Sequence, residues 1–209
     1  MENIPKISAE IHENQLLFCE LYDIMKNVWE DIIMCIPEKI EKILLTEEQL
    51  KEKVTLLGDE LTKEYSGKNP LFICVLNGAV VFFSDLIRTV KCPLEIEFFR
   101  ASSYIGTNSS GDVNADESDI PDIEGRDVVI VEDIIDTART LSKVKEMFLR
   151  HGPRSLRIVC LLDKPSRREV ENFTADNSCF EIEDLFVVGY GLDCDQQFRN
   201  LPYIGVYKA

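Results

Sequence analysis

Apolar residues follow two different spacings along this chain of 209 residues. Continuous apolar runs predict four buried strands, and an alternation of apolar and polar residues predicts a fifth. These strands are expected at Leu71–Leu76, around Leu94, Ile96 and Phe98, and at residues 128–132, 156–162 and 186–188. Between them, apolar residues recur every three or four positions, as in helices. This order predicts an α/β fold with a doubly wound, mainly parallel sheet flanked by helices.

Three helices are predicted, one before the first strand and two between strands. The first begins at Thr46, where a capping-box pattern occurs, and ends near Gly67. The other two are expected over residues 78–88 and from about residue 137 to residue 151. Residues 107–119 are polar and lack periodicity, which predicts a long loop.

Residues 1–38 form a separate segment in front of the main domain, which we place at residues 39–209. Six residues in this segment recur at helical spacing. They are Leu17, Leu21, Ile24, Val28, Ile32 and Cys35. We expect a helical extension that packs on the main domain or in a contact between subunits.

Charge and cysteine content exclude several classes of protein. The net charge is −15, which argues against nucleic acid or an anionic membrane as a partner. No apolar run is long enough to cross a membrane. Seven cysteines without a C-x-x-C pair are typical of a reducing compartment, so a cytoplasmic location is expected.

A group of carboxylates near residue 132 gives the clearest chemical signal. Glu132 and Asp133 are adjacent, Asp136 follows after two isoleucines, and residues 137–140 open the third predicted helix. Carboxylates accept hydrogen bonds from ribose hydroxyls or bind Mg²⁺, and free N–H groups at a helix start bind phosphate. The alternative is a strand, a turn and a capped helix without a ligand. A ligand is favoured because an uncompensated acidic cluster beside an apolar strand is costly.

Several further segments resemble those of the hypoxanthine-guanine phosphoribosyltransferases, in the same order and with close spacing. The acidic segment resembles that family's signature for phosphoribosyl pyrophosphate (PRPP). The other segments are residues 76–79, 103–104, 161–165, 186–193 and 198–205. The resemblance covers roughly residues 40–207. It implies a phosphoribosyltransferase domain with a small hood over the C-terminal ends of the strands, and Mg²⁺-dependent transfer of ribose 5-phosphate from PRPP to a purine.

The resemblance also implies a set of residues that bind PRPP and Mg²⁺. Residues implied to bind the ribose and its 5′-phosphate are Glu132, Asp133, Thr137, Ala138, Arg139 and Thr140. Those implied to bind pyrophosphate are Asn77, Gly78 and Arg199. Mg²⁺ would be held by Glu132, Asp133 and Asp193. For Asp193 and Arg199, the alternatives are a surface aspartate and a surface ion pair.

A second implied set acts on the purine. Asp136 would handle a proton near purine N7, in apolar surroundings provided by its isoleucine neighbours; the alternative role is a helix N-cap. Lys164 would donate to the purine 6-oxygen, which favours hypoxanthine and guanine over adenine; the alternative is a solvated lysine. The remaining implied purine contacts are Phe186, Val187 and Asp193, and Ser103 and Tyr104 would close over the site.

Two departures from the family pattern affect these expectations. Asn77 replaces a common lysine, which puts charge coupling between subunits in doubt. Ala138 and Arg139 replace a common Gly-Lys, and Ala138 fits if its φ is negative.

Alternative functions are a phosphoribosyltransferase acting on xanthine or a pyrimidine, and a PRPP-sensing regulator that binds RNA. Lys164 disfavours a pyrimidine, and the negative charge disfavours RNA. Relatives form dimers or tetramers, so a homodimer or homotetramer is expected. The expected partners are PRPP, hypoxanthine, guanine, the nucleoside monophosphate and pyrophosphate.

Overall fold

A parallel sheet of five strands forms the centre of the protein in the computed structural model, which describes residues 37–103, 113–114 and 117–208. Its strands are β2 (Leu71–Leu76), β3 (Glu95–Arg100), β6 (Asp127–Ile135), β7 (Ser155–Asp163) and β8 (Asn177–Glu181). Their order is β3-β2-β6-β7-β8, and every neighbouring pair is parallel. The predicted α/β fold is therefore confirmed.

Smaller sheets accompany the central one. The first contains β1 (Ile40–Leu45), β9 (Val187–Val188) and β10 (Ile204–Tyr207), in the order β1-β10-β9. Strands β9 and β10 are antiparallel. The second small sheet pairs β4 (Ser102–Ser103) with β5 (Val113–Asn114), also antiparallel. Small antiparallel sheets of this kind agree with the predicted hood.

Helices cover both faces of the central sheet. They are α1 (Glu47–Glu64), α2 (Val80–Thr89) and α3 (Arg139–Arg150). Because side chains alternate along a strand, Phe72 of β2 joins the core under α1 and α2, whereas Ile73 joins the core under α3. This two-sided burial explains why the central strands are continuous apolar runs.

The start of α1 has the predicted capping box. The amide of Gln49 donates to Thr46 Oγ1 at 3.4 Å, and the amide of Thr46 donates to Gln49 Oε1 at 2.9 Å. The helix ends earlier than predicted, because Tyr65 is its C-cap and Gly67 lies beyond it in a left-handed turn.

Strand β6 is longer than predicted and contains the acidic pair. It continues to Ile135 because its last residues pair with β7, where Ile134 lies opposite Leu162. Helix α3 starts two residues later than predicted, after a left-handed residue at position 138. The predicted loop at 107–119 was also partly wrong, since it contains β5 and a 3₁₀ turn at Glu117–Asp119.

Some predictions concern residues outside the described part of the chain. These include most of the extension at residues 1–38, and Tyr104. The chain divides into two compact units, Met1–Ile40 and Glu41–Ala209, and the second holds the sheet described above. Within the described residues, no helix has the length and apolar character needed to cross a membrane. The five cysteines described there are free thiols.

Candidate active site

The acidic pair Glu132 and Asp133 lies within β6, near the carboxyl edge of the sheet. The Asp133 amide donates to Glu132 Oε1 at 3.2 Å, and the Ile134 amide donates to Asp133 Oδ1 at 2.7 Å. Burial raises the pKa of both carboxyl groups, and the charge of Asp133 raises the pKa of Glu132 further. The guanidinium of Arg199 acts in the opposite direction on the pKa of Asp133.

The backbone at Gly78 packs directly against this pair. A Cβ atom at Gly78 would lie 1.5 Å from Asp133 Oδ2, so only glycine leaves room for the carboxylate in this position. The preceding peptide bond, Leu76–Asn77, is cis. A Cβ at Gly191 would in turn lie 2.2 Å from the carbonyl oxygen of Gly78. Three of the segments identified in the sequence therefore meet at one point.

Arg199 and Asp193 form an ion pair beside these glycines. Arg199 Nη2 lies 2.7 Å from Asp193 Oδ1, and Arg199 Nη1 donates to the Gly191 carbonyl at 2.7 Å. The second carboxylate oxygen of Asp193 accepts from the Gln196 amide at 2.8 Å. Both side chains are about three-quarters buried, so this is a structured pair and not a solvated surface contact.

The turn between β6 and α3 is built around Ala138. Its φ of 63° is positive, so the condition under which an alanine would fit here without strain is not met. A non-glycine residue in this region costs roughly 1–2 kcal/mol. The Ala138 carbonyl accepts from the Ser142 amide at 2.9 Å at the start of α3. The Arg139 amide donates to Thr137 Oγ1 at 3.4 Å, while the Arg139 side chain is exposed and pairs with Glu169.

Asp136 differs from the acidic pair in its surroundings. Its side chain is 42% exposed, and Arg167 Nε donates to its Oδ1 at 3.0 Å. The apolar surroundings expected from the isoleucine neighbours were therefore wrong. The helix-cap alternative is also wrong, because Ala138 is the N-cap residue of α3 and the cap has no side-chain hydrogen bond.

Lys164 follows β7 and is buried, with 6% of its surface exposed. Its amide donates to the Ile135 carbonyl at 2.9 Å, which fixes it beside the end of β6. Its Nζ atom lies 3.8 Å from Asp184 Oδ1. A solvated loop lysine is therefore excluded, and the buried ammonium is available to a group that supplies acceptors.

Phe186 presents an exposed apolar surface, and Val187 follows it in the chain. Phe186 is 56% exposed, and its ring contacts Tyr207 edge-to-face with centroids 5.6 Å apart. Val187 is buried in β9, opposite Val206. An exposed aromatic ring held by a neighbouring ring offers a flat surface on which a planar base could stack.

Sequence reasoning missed three charged residues that contact the predicted ones. Two of them donate to Asp136: the Arg167 side chain donates to the Asp136 carboxylate, and the Arg168 side chain donates to the Asp136 carbonyl oxygen. Asp184 lies between Lys164 and Arg167. Local patterns carry no signal for these pairs because the partners are distant in sequence.

Comparison with known proteins places the chain in a family. A family model described as a phosphoribosyl transferase domain matches residues 42–195. A hypoxanthine-guanine phosphoribosyltransferase of Lactococcus lactis is 51% identical over 170 residues, which covers 81% of this chain and 92% of the relative. The chain belongs to the hypoxanthine-guanine branch of the phosphoribosyltransferase family. A phosphoribosyltransferase of the same name from Bacillus subtilis is 49% identical, covering 81% of this chain and 94% of the relative.

Solved phosphoribosyltransferase structures agree with this assignment. A hypoxanthine phosphoribosyltransferase from Staphylococcus aureus superimposes with a TM-score of 0.76 at 43% identity, covering 81% of this chain and 92% of that one. The Trypanosoma cruzi enzyme in complex with the product IMP superimposes with a TM-score of 0.75 at 41% identity. That match covers 82% of this chain and 96% of the other.

Proposed function

We propose that this chain transfers the ribose 5-phosphate group of PRPP to N9 of hypoxanthine or guanine and releases pyrophosphate. The observation that carries the proposal is the placement of a carboxylate pair and a buried lysine on neighbouring strands, towards the same edge of the sheet. A carboxylate pair lies in β6, and buried Lys164 follows β7, anchored to the end of β6 by its amide. Acceptors for ribose hydroxyls and a donor for a 6-oxo group therefore lie at one edge of the sheet.

The proposed PRPP site uses the acidic pair and the turn that follows it. Glu132 and Asp133 accept hydrogen bonds from the ribose hydroxyls, and amides of residues 137–140 bind the 5′-phosphate. The raised pKa values of the pair fit a site that awaits a cation, and carboxylate oxygens are ligands that Mg²⁺ prefers. Bound Mg²⁺ would neutralise phosphate charge and make pyrophosphate a better leaving group. Asp193 is the proposed holder of a second Mg²⁺.

The proposed pyrophosphate site lies on the other side of Asp133. Amides at Asn77 and Gly78 and the guanidinium of Arg199 are its donors. The charge of Arg199 already acts on Asp133, where it lowers the pKa of the carboxyl group. The ion pair with Asp193 holds Arg199 in place before the substrate arrives. In the proposed reaction, this cation stabilises the pyrophosphate as the bond to the ribose breaks.

The proposed purine site uses Lys164, Asp136 and the Phe186 ring. Lys164 carries donors and no acceptor, so it binds a 6-oxygen and rejects a 6-amino group. Asp136 takes up the proton that the purine sheds as its bond to the ribose forms. The Phe186 ring stacks on the base, the backbone of Val187 and Asp193 binds its edge, and Ser103 and Tyr104 close over the site.

The test is a PRPP- and Mg²⁺-dependent assay with five bases: hypoxanthine, guanine, xanthine, adenine and uracil. We expect hypoxanthine and guanine to react, with adenine poorer by roughly 10⁴-fold, since its amino group reverses a hydrogen bond at a buried donor. Equal rates with adenine and hypoxanthine would contradict the substrate assignment. A preference for xanthine would move the protein to that branch. Assembly as a homodimer or homotetramer and a cytoplasmic location stay predictions.

A further inference from the structure

Four charged side chains form a continuous series across the base end of the proposed site. Lys164 Nζ lies 3.8 Å from Asp184 Oδ1, and Arg167 Nη1 lies 3.6 Å from Asp184 Oδ2. Arg167 Nε then donates to Asp136 Oδ1 at 3.0 Å. We name this series, Lys164–Asp184–Arg167–Asp136, the charge chain. Positive and negative groups alternate along it, so its net charge is zero.

The two ends of the charge chain are the groups that the proposed function assigns to the purine. Lys164 is buried, whereas Arg167 and Asp184 are about half exposed. A buried ammonium holds its nearest counter-ion strongly, because little water competes for it. Asp184 is that counter-ion, and its second oxygen faces Arg167. Arg167 therefore competes with Lys164 for Asp184 and also donates to the Asp136 carboxylate.

We infer that Arg167 is a positioning residue for the purine. By engaging Asp184 and Asp136 together, it leaves Lys164 able to donate to the 6-oxygen and fixes the carboxylate that handles the proton. Without Arg167, Asp184 pairs with Lys164 alone, and the Asp136 side chain loses its hydrogen-bond donor. This inference rests on the proposed function, because it assigns Arg167 a role in binding the base that the function requires.

Separate contacts hold the turn around residues 137–140, which we call the phosphate turn. The inference therefore applies to the base and not to PRPP. Arg168 Nη1 donates to the Asp136 carbonyl at 2.7 Å, and the Glu169 amide donates to the Thr137 carbonyl at 3.1 Å. Arg168 also pairs with Asp163. None of these contacts involves the Arg167 side chain, so they should remain when Arg167 is replaced. Loss of Arg167 should therefore change the constants for the purine and leave those for PRPP nearly unchanged.

The test compares Arg167→Gln and Arg167→Lys with the matched control Arg150→Gln. Arg150 is also a half-exposed arginine paired with a carboxylate, Glu117, but it lies at the far end of α3 from the phosphate turn. Kinetic constants for hypoxanthine and for PRPP are measured separately, with the melting temperature of each variant. Affinities for IMP and for ribose 5-phosphate are measured by calorimetry, since their ratio isolates the contribution of the base.

We expect Arg167→Gln to lower kcat/KM for hypoxanthine by roughly 10- to 100-fold, as when a reacting group is misplaced but not removed. The advantage of IMP over ribose 5-phosphate should fall in the same variant, with KM for PRPP and the melting temperature nearly unchanged. Arg167→Lys should recover most of the loss, since it keeps a cation between the two carboxylates.

A second variant tests whether the four groups act as one chain. Asp184→Asn removes the link between Lys164 and Arg167, so its effect on hypoxanthine kcat/KM should overlap with that of Arg167→Gln. The double variant should lose less than the product of the two single losses. Multiplicative losses would show that the two residues act independently, and would contradict the inference that the charge chain acts as one unit.

Other outcomes separate this inference from the proposed function. If Arg167→Gln matches the Arg150→Gln control while the wild type is active, Arg167 is a surface residue and the inference is wrong. Equal losses for hypoxanthine and PRPP with a lowered melting temperature would indicate a structural role and also overturn it. A wild type that transfers ribose 5-phosphate to none of the five bases would overturn the proposed function and this inference together.

Discussion

Two acidic regions lie three residues apart in this chain and have different environments. Glu132 and Asp133 are held inside β6, where burial raises the pKa of both carboxyl groups. Asp136 lies in the turn after β6, half exposed, with Arg167 as a partner. The comparison shows that residue type alone does not set a role. The pair in β6 is partly buried and feels the charge of Arg199, whereas Asp136 accepts a hydrogen bond from Arg167.

Different parts of the protein fix these two regions. Asp133 is placed by backbone packing, since its carboxylate lies against Gly78 and accepts from the Ile134 amide. Asp136 is placed by long side chains, Arg167 on its carboxylate and Arg168 on its carbonyl oxygen. Under the proposed function, backbone packing would give the ribose and its metal a rigid site. The contact with Arg167 would hold the carboxylate that is proposed to handle the proton.

The largest effect is expected for Asp136→Asn. The amide keeps the shape of the carboxylate but cannot accept a proton, so single-turnover transfer should slow by about 10²–10⁴-fold. PRPP binding should be nearly intact, because the backbone of the turn is held by Arg168 and Glu169. The control is Asp59→Asn, which breaks a surface pair with Lys91. Wild-type single-turnover rates in Asp136→Asn would remove Asp136 from the chemistry.

The next effect is expected for Gly78→Ala. A Cβ there would lie 1.5 Å from Asp133 Oδ2, so the carboxylate or the backbone must move. A shift of about 1 Å at a reacting site can cost roughly 10²-fold, and we expect a loss of that order in kcat/KM for PRPP. Val80→Ala, two residues later on an exposed position of α2, is the control. If both variants had the wild-type kcat/KM for PRPP, the packing of Gly78 on Asp133 would not matter for activity.

Local signals explain which parts of the fold could be predicted from sequence. The continuous apolar run of β2 and the capping box at Thr46 each depend on a few adjacent residues, and both were confirmed. Strands β1 and β8 were missed because they mix charged, polar and apolar residues and lack a clear period. Partners beyond the local pattern, on other elements, decide those strands.

The candidate site shows the same division. The acidic pair and Lys164 could be located from their positions at strand ends, because parallel strands end at a common edge. The positive φ of Ala138 could not be predicted, since it runs against the ordinary conformational preference of alanine. The pairing of Arg167 with Asp136 could not be predicted either, because the two residues lie 31 positions apart in the sequence.

The smallest effect on chemistry is expected for a truncated chain that begins at Glu38. Every proposed site residue lies at or after Asn77, so kcat/KM for both substrates should be unchanged. The extension has an apolar helical pattern that must be buried somewhere, so solubility or assembly can change. Size-exclusion chromatography with light scattering measures the assembly. A soluble, normally assembled truncation that binds PRPP without turnover would place residues 1–38 in the active site.

The comparison of the two acidic regions is tested most directly by the pH dependence of stability in Glu132→Gln and Asp136→Asn, without Mg²⁺ or PRPP. The pKa of Glu132 is raised above its ordinary value of 4.5 in the folded protein. Between the unfolded and the folded pKa, the folded wild type therefore holds a proton that the unfolded chain has released. Its stability falls as pH rises through this range. Glutamine carries no such penalty.

Melting temperatures across roughly pH 5 to pH 8 give the decisive result, since unfolded carboxyl groups are already ionised over most of this range. The stability advantage of Glu132→Gln over the wild type should be smallest at the acid end and should grow as pH rises. Asp136→Asn should show no such gain, because it loses the ion pair with Arg167 instead. A Glu132→Gln variant whose advantage stays constant or shrinks as pH rises would contradict the account.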